Sequence, residues 1–466
     1  MSARVAVVGG GISGLSVTYA LDRAGIDVTL FEKEKEVGGL IKSEIRDGYL
    51  VERGPNSLLN INAQLDDFCK EIGLDQDKIF QNPESKSRFI LKSGRLVPIP
   101  KNPKEFIFTP LLSLKGKIRA ALEPFIPAPP YQKIESVSEF VSRRFGPEIL
   151  DYVVDPLIEG IYAGDPEILS MDATFPRLTV LEEKYGSLLK GFLRRKKEEK
   201  RDKRIDLFSF RNGMGTLPGK LDEILGKRRP TTKGFAVREI RRNENGGASY
   251  MLTGNDAASG NREVRYESEH VVLATPAYES ARLLSGLSEV ISRELRSIEY
   301  APVAIVNFGL PLKNIAKPFN GSGCLIPKKE GRYLLGFRIN SNLYPNRAPQ
   351  DKLVITCFAG GMRNRHIVEE SDDAIIRSCL NEVRRLLEFK GDPEFTHLFR
   401  HRHAIPQYDL RHHLKLESIT KELNRLNGIY LAGNYFRGVS VWDCLSQGLE
   451  IGKSISERIR SQSNRP

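Results

Sequence analysis

The feature that most narrows the possible folds lies at the start of the chain. Arg4 to Val8 is a short apolar run ending in Gly9-Gly10-Gly11; Ile12-Ser13-Gly14 and an apolar-periodic stretch to Ala24 follow, then a second apolar run, Asp27 to Phe31, ending on Glu32. The order reads strand, tight turn, helix, strand, which is a βαβ unit. Gly9-x-Gly11-x-x-Gly14 follows the first strand and opens the helix, and Glu32 lies about 20 residues on, as a dinucleotide fingerprint requires. Gly9 permits the tight turn, Gly11 lets the backbone approach a pyrophosphate at the helix N-terminus, Gly14 allows close packing, and Glu32 accepts hydrogen bonds from ribose hydroxyls. The unit is expected to hold a dinucleotide through Gly9, Gly10, Gly11, Ile12, Ser13, Gly14 and Glu32, with Lys33 beside them.

Three further features favour FAD over a nicotinamide. Gly38-Gly39, followed by Leu40, comes six residues after Glu32, where a flavin-binding chain needs a second close approach to its cofactor. The strand-like segment GFAVREI, which contains Val237, and EHVVLATP, which contains Ala274, resemble the returning half of flavoprotein amine oxidases. LAGN, with Gly433 and Asn434, and then Gly438-Val439-Ser440-Val441 precede a terminal helix whose N-terminal amides can face a flavin pyrimidine. Gly213-x-Gly215 and Gly321-x-Gly323 lack the spacing for a second nucleotide site. The electron donor is therefore expected to be the substrate itself.

With 466 residues, two or three domains are expected. A composition of 40% hydrophobic and 28% charged residues excludes wholesale disorder, collagen and a disulfide miniprotein. No window approaches a membrane span and the first residues show no secretory cleavage pattern, so a cytoplasmic location is expected. Cys69, Cys324, Cys357, Cys379 and Cys444 are scattered without CxxC pairing, which fits a reducing compartment. His401, His403, His412 and His413 fall in an Arg-rich stretch without acids or Cys at ligand spacing, so no metal is expected. The net charge is +12, and the run from Lys184 to Arg204 carries ten Lys/Arg against three acids. Such a run reads either as a solvated face or as a contact with anionic lipid; without interleaved aromatics it gives no support for nucleic acid.

The later segments EHVVLA and GIYLA read as buried strands that return to the first unit. Residues 82–130 are Pro-rich with apolar patches and lead into helix-like sequence, an apparent insertion. From 301 to 399, PVAIVNFGL, RYLLGFRI and KLVITCFAG alternate as strands of an antiparallel sheet. The expected class is α/β (α+β overall): a Rossmann-like FAD domain, a substrate domain on a mixed or antiparallel sheet, and an inserted helical domain.

Across nearly the whole chain, VVGGGISGL, VGGLIKS, ERGPNS, EGIYAGDPEILSMDATFPRL, FRNGMGTLP, YPNRAP and GNYFRGVSVWDCLSQG resemble the oxygen-dependent protoporphyrinogen oxidases of the flavin amine oxidase superfamily; GIYAGDP and GVSVWDC are the specific pieces. The resemblance implies FAD contacts also at Gly54, Pro55, Asn56 and Ser57. It divides the chain into an FAD domain (1–85, 205–295, 400–466), a substrate domain (86–94, 296–399) and a helical insertion (95–204) that attaches to the inner face of the cell membrane without spanning it. It implies a propionate contact at Arg88, a close approach at Gly160, and ring contacts at Leu325 and Ile339, the last two equally readable as core. Arg338 and Trp442 depart from the family pattern. If Ile339 lines the cleft, strand alternation turns Arg338 to solvent; a slipped register would bring Arg338 to a second propionate. The implied reaction is six-electron aromatisation of protoporphyrinogen IX with dioxygen as acceptor and hydrogen peroxide released, without an assigned protein base. Alternatives are coproporphyrinogen III oxidation, an amine oxidase or carotenoid desaturase, and a flavin-free binding protein on the same fold. A ferrochelatase as recipient of the product and a homodimer remain open expectations.

Overall fold

The structure is a computed structural model that describes residues 4–60, 63–85, 87–129, 134–198, 206–228, 231–243, 250–257, 260–316 and 319–463. Five strands form a parallel sheet in the order Thr232–Lys233, Asp27–Glu32, Arg4–Val8, His270–Leu273, Ile429–Leu431. Its central strand is covered on both faces, which is why RVAVV is a continuous apolar run rather than an alternating one. The two late segments read as returning strands take their places beside it. Each fully buried Val, Leu or Ile here contributes roughly 1.5–3 kcal/mol.

The helix Ile12–Arg23 lies between this sheet and the terminal helix Val441–Ser463. The two helices approach closely because Gly448 and Gly452 share one face: a Cβ there would meet the carbonyl oxygens of Ser13 at 2.6 Å and Val17 at 2.8 Å. Trp442, the only tryptophan, packs into the same core as Leu15 and Leu445. The GFAVREI segment belongs not to the parallel sheet but to an antiparallel one, Phe235–Arg242 with Tyr250–Asp256 and Arg262–Ser268, leaning on it through Phe31 and Phe235 at 4.9 Å between ring centroids.

A seven-stranded sheet runs Phe395–Pro406, Tyr300–Pro311, Lys352–Gly360, Leu334–Ile339, Gly323–Leu325, Arg88–Lys92, Arg95–Pro98. All pairs are antiparallel except Gly323–Leu325 with Arg88–Lys92. Arg95–Pro98, read from sequence as the start of the helical insertion, is thus the edge of this sheet. One face carries Phe308, Phe337, Ile339 and Cys357 into a core shared with the helix Asp372–Leu387. The opposite face fronts a cavity.

Residues 103–198 are mainly helical. The helix Val137–Phe145 starts on a capping box between Ser136 and Glu139. Its Arg144, fully buried, bridges Glu182 and Glu123, and Glu123 in turn accepts from Ser187 Oγ at 2.6 Å and Leu188 N at 2.9 Å. Most of the basic run lies at 195–205, outside the residues whose side chains are described.

Candidate active site

A cavity of about 1210 Å³ begins at the first turn of the chain and ends on the seven-stranded sheet. At its near end the backbone leaves Arg4–Val8 through Gly9, whose φ of +107° and 2.6 Å approach of a would-be Cβ to the Ala274 oxygen exclude any other residue. Gly11 caps the helix without a side-chain hydrogen bond, and the space where its Cβ would stand is empty. The first amides of the helix therefore open on the cavity, with the positive end of the helix dipole behind them. Glu32, buried, is aimed by two amides: Oε2 accepts from Gly10 N at 2.6 Å and Oε1 from Glu34 N at 2.8 Å. Gly38 closes the turn, its N–H donating to the Gly10 oxygen at 2.8 Å.

Of the residues expected at a cofactor, Gly9, Gly11, Ile12, Ser13, Glu32, Lys33, Gly38, Gly39, Leu40, Gly54, Pro55, Asn56, Ser57, Val237, Ala274, Gly433, Asn434, Val439 and Val441 line this one cavity. Three do not. The Gly10 amide is turned to Glu32, and Gly14 is occupied by packing, since a Cβ on it would collide with the Gly9 oxygen. Ser440 caps the terminal helix, accepting from Asp443 N at 3.1 Å and donating to Asp443 Oδ2 at 2.5 Å.

At the far end the cavity meets apolar side chains of the sheet, Val303, Ile305, Leu325, Leu335 and Phe358, and Gly160 with Ile161 from the helix Asp155–Tyr162. Leu325, Gly336, Phe358 and Ile305 are successive cross-strand partners, so they share one face. Ile339 is displaced from the expected position: it pairs with Ile355 on the other face and packs in the core. Alternation then turns Arg338 into the cavity, which it lines. Arg88 stands at the exposed start of its strand and does not line the cavity, although its charge is felt by Arg338.

Sequence reasoning missed several residues here. Val303, Ile305 and Phe358 sit on strands that were read correctly, but only cross-strand register selects their face. His401 lines the cavity and hydrogen-bonds through Nε2 to the Arg53 oxygen at 2.7 Å. Tyr408, fully buried, donates to the Asn434 oxygen and accepts from Gly438 N at 3.1 Å, which fixes the turn before the terminal helix. Arg363 ties the helix Asp155–Tyr162 to the sheet, reaching Asp155 at 2.5 Å, Glu159 at 3.0 Å and Asp165 at 2.9 Å. Burial, with Asp155 adding to it, pushes the Glu159 carboxyl up to about 8. Glu52, just before the 54–57 turn, is pushed by burial up to about 7 although the Ser43 hydroxyl and Met214 amide hydrogen-bond to it.

The near half of this site fits a dinucleotide: open helix amides and an empty Gly11 flank for a pyrophosphate, an oriented carboxylate for a ribose, and a second helix N-terminus at Val439 to Val441 for a ring with electronegative edges. The sequence agrees with this geometry, for residues 12–451 match the profile of the flavin-containing amine oxidoreductases, and the chain belongs to that family. It is an oxidoreductase and its cofactor is FAD. Over 99% of its length the chain is 30% identical to protoporphyrinogen oxidase 2 of Arabidopsis thaliana, covering 95% of that protein. It is 28% identical to coproporphyrinogen III oxidase of Bacillus subtilis over 95% of its length and 96% of the relative's. A solved candidate protoporphyrinogen oxidase from Exiguobacterium sp. 255-15 superposes with a TM-score of 0.83 at 25% identity, over 98% of this chain and 99% of that one.

Proposed function

We propose that the protein oxidises a porphyrinogen, protoporphyrinogen IX in first place, to the porphyrin, with dioxygen as final acceptor. The carrying observation is one cavity of about 1210 Å³ that joins a dinucleotide cradle to an apolar sheet face on which Arg338 is the charged residue. The relatives named above act, by their names, on porphyrinogens, and that supports the reading. FAD, when bound, supplies a two-electron acceptor that dioxygen restores, so removal of six electrons takes three cycles and yields three hydrogen peroxide molecules.

The chain's own part is placement. Gly9 to Ser13 and Glu32 hold the nucleotide half, and the 54–57 turn with Gly433 to Val441 holds the ring half. Leu325, Phe358 and Ile305 stack against the macrocycle, and Gly160 allows it to lie close to the helix Asp155–Tyr162. Water is excluded by the same apolar walls, which favours hydride transfer over side reactions. On this reading 1–85, 205–295 and 400–466 serve the cofactor, and 86–94 and 296–399 the substrate. Residues 95–204 serve attachment to anionic lipid at the membrane's inner face. Among the described residues no helix is long and apolar enough to cross a membrane.

The test is to give the FAD-loaded protein protoporphyrinogen IX and coproporphyrinogen III in parallel, in air, and follow porphyrin fluorescence above autoxidation. Faster turnover of protoporphyrinogen supports the proposal, preference for coproporphyrinogen moves it to the second substrate, and no turnover of either refutes it.

A further inference from the structure

Arg338 is an unusual resident of its strand. In LLGFRI it is the only charge, it faces the cavity, and among the described residues its guanidinium makes only two long hydrogen bonds, 3.4 Å each, to Ser57 Oγ. Glu52 biases it from a distance without pairing with it, and its other near neighbour, the buried Tyr344 hydroxyl, is neutral and supplies no compensating carboxylate. A sequestered cation without a carboxylate costs several kcal/mol.

Its cross-strand surroundings are more specific still. Gly323 pairs with Arg338 on one side and with Arg88 on the other, so the three residues form one row and face the same way. The two arginine Cα atoms thus stand two strand spacings apart, about 10 Å. Between them there is no side chain, and none fits: Gly323 has φ +148°, and a Cβ there would lie 2.9 Å from Arg338 Cα. The result is a notch flanked by two guanidinium groups that repel each other, at the end of the apolar face formed by Leu325, Gly336 and Phe358. Anionic groups seated in the notch relieve the repulsion, and a planar guanidinium is the side chain best suited to hold a carboxylate bidentately.

We propose that Arg338 is a substrate-specificity residue: with Arg88 across the Gly323 notch it binds two neighbouring carboxylates on one edge of the macrocycle. This deepens the porphyrinogen reading and rests on it. The substrate class it defines is a tetrapyrrole whose adjacent rings both carry an acid side chain, with the reacting carbons held over the apolar rows beyond.

The experiment uses the FAD-loaded protein and two stable ligands, protoporphyrin IX and its dimethyl ester, with affinities read by fluorescence titration and turnover of protoporphyrinogen IX run alongside. The wild type binds the diacid at least about tenfold tighter than the ester, and Arg338→Leu loses about tenfold or more for the diacid while the ester changes by less than about twofold. Arg338→Lys, which keeps the charge, retains part of the preference. Without ligand Arg338→Leu melts no lower than the wild type, because a purely structural arginine would cost stability and an uncompensated one does not. Equal weakening of diacid and ester by Arg338→Leu, or an unchanged diacid affinity, overturns the assignment. Should Arg338→Leu not fold, the wild-type comparison decides, since equal affinity for the two ligands overturns it as well. A wild type that turns over protoporphyrinogen but shows no preference for the diacid fails this inference alone, whereas one that neither binds porphyrin nor oxidises porphyrinogen fails the functional reading beneath it.

Discussion

Gly11 and Gly14 are two residues of the same fingerprint with opposite duties. Gly14 is required by the protein, because any side chain there strikes the Gly9 oxygen; no protein atom lies within 4 Å of a Cβ on Gly11, so on the proposed reading it is the cofactor's pyrophosphate that requires this glycine. Gly11→Ala is therefore expected to leave the apoprotein within about 1 kcal/mol of the wild type, the scale of an N-cap change. FAD affinity, measured by equilibrium dialysis, falls by at least about tenfold, as expected when a backbone approach to phosphate is blocked. Equal FAD affinity in the two proteins would contradict this. Glu52 gives a prediction in pH. Its carboxyl is raised from 4.5 to about 7 in the folded chain, so between these values the folded state keeps a proton that the unfolded chain has released. Stability then falls as pH rises through that window and levels above about 7. Glu52→Gln should match the wild type near pH 4.5 and exceed it by about 3 kcal/mol at pH 8 in urea melts; parallel pH profiles would refute the assignment. The glycines and Glu32 were legible in the sequence because their chemistry is local, tied to one turn and one helix end. Arg338 was visible as an oddity only, since its facing depends on pairing with strands that the sequence does not align.

Among elements, four strands of the parallel sheet were readable as apolar runs, two of them returning hundreds of residues later, whereas the two-residue edge strand Thr232–Lys233 is polar and left no such mark. The seven-stranded sheet was readable as strands but not as faces. A register shift between Leu334 and Gly336 decides whether Arg338 or Ile339 meets the cavity, and such a bulge leaves no mark on a hydrophobic pattern. The hairpin Arg88–Lys92 with Arg95–Pro98 was cut in two for a related reason, its second strand being short and followed by prolines. The helical insertion shows what sequence periodicity hid: on Leu114–Ala121 and just beyond, Leu114, Ile118 and Leu122 follow one another at four-residue spacing and are exposed, as are Phe108 at 76% and Phe125 at 80%. Lys115 and Lys117 share that helix, which makes it an apolar stripe with basic flanks of the kind that lies in a lipid interface. Replacing Leu114 and Ile118 together by Asp should lower co-sedimentation with phosphatidylglycerol vesicles by about tenfold or more. Porphyrinogen turnover in detergent should be unaltered, because neither residue lines the cavity. Unchanged vesicle binding would show that the stripe is not a lipid contact.

For the whole molecule, the cavity exists only because distant parts of the chain converge: the first turn, the 54–57 turn, the strands of 300–360 and the start of the last helix. Tyr408 and Arg363 show how this is held, one clamping the turn at Asn434 and Gly438, the other pinning the helix that carries Gly160. On the proposed function, cofactor and macrocycle share this one space, so that electrons pass directly between them. The most direct measurement mixes the FAD-loaded protein with protoporphyrinogen IX without oxygen and follows flavin and porphyrin absorbance together. The flavin should bleach at a rate saturating with substrate, three equivalents of flavin should be reduced for each porphyrin formed, and air should restore the flavin colour. Flavin that stays oxidised in the presence of saturating porphyrinogen would contradict the proposed function.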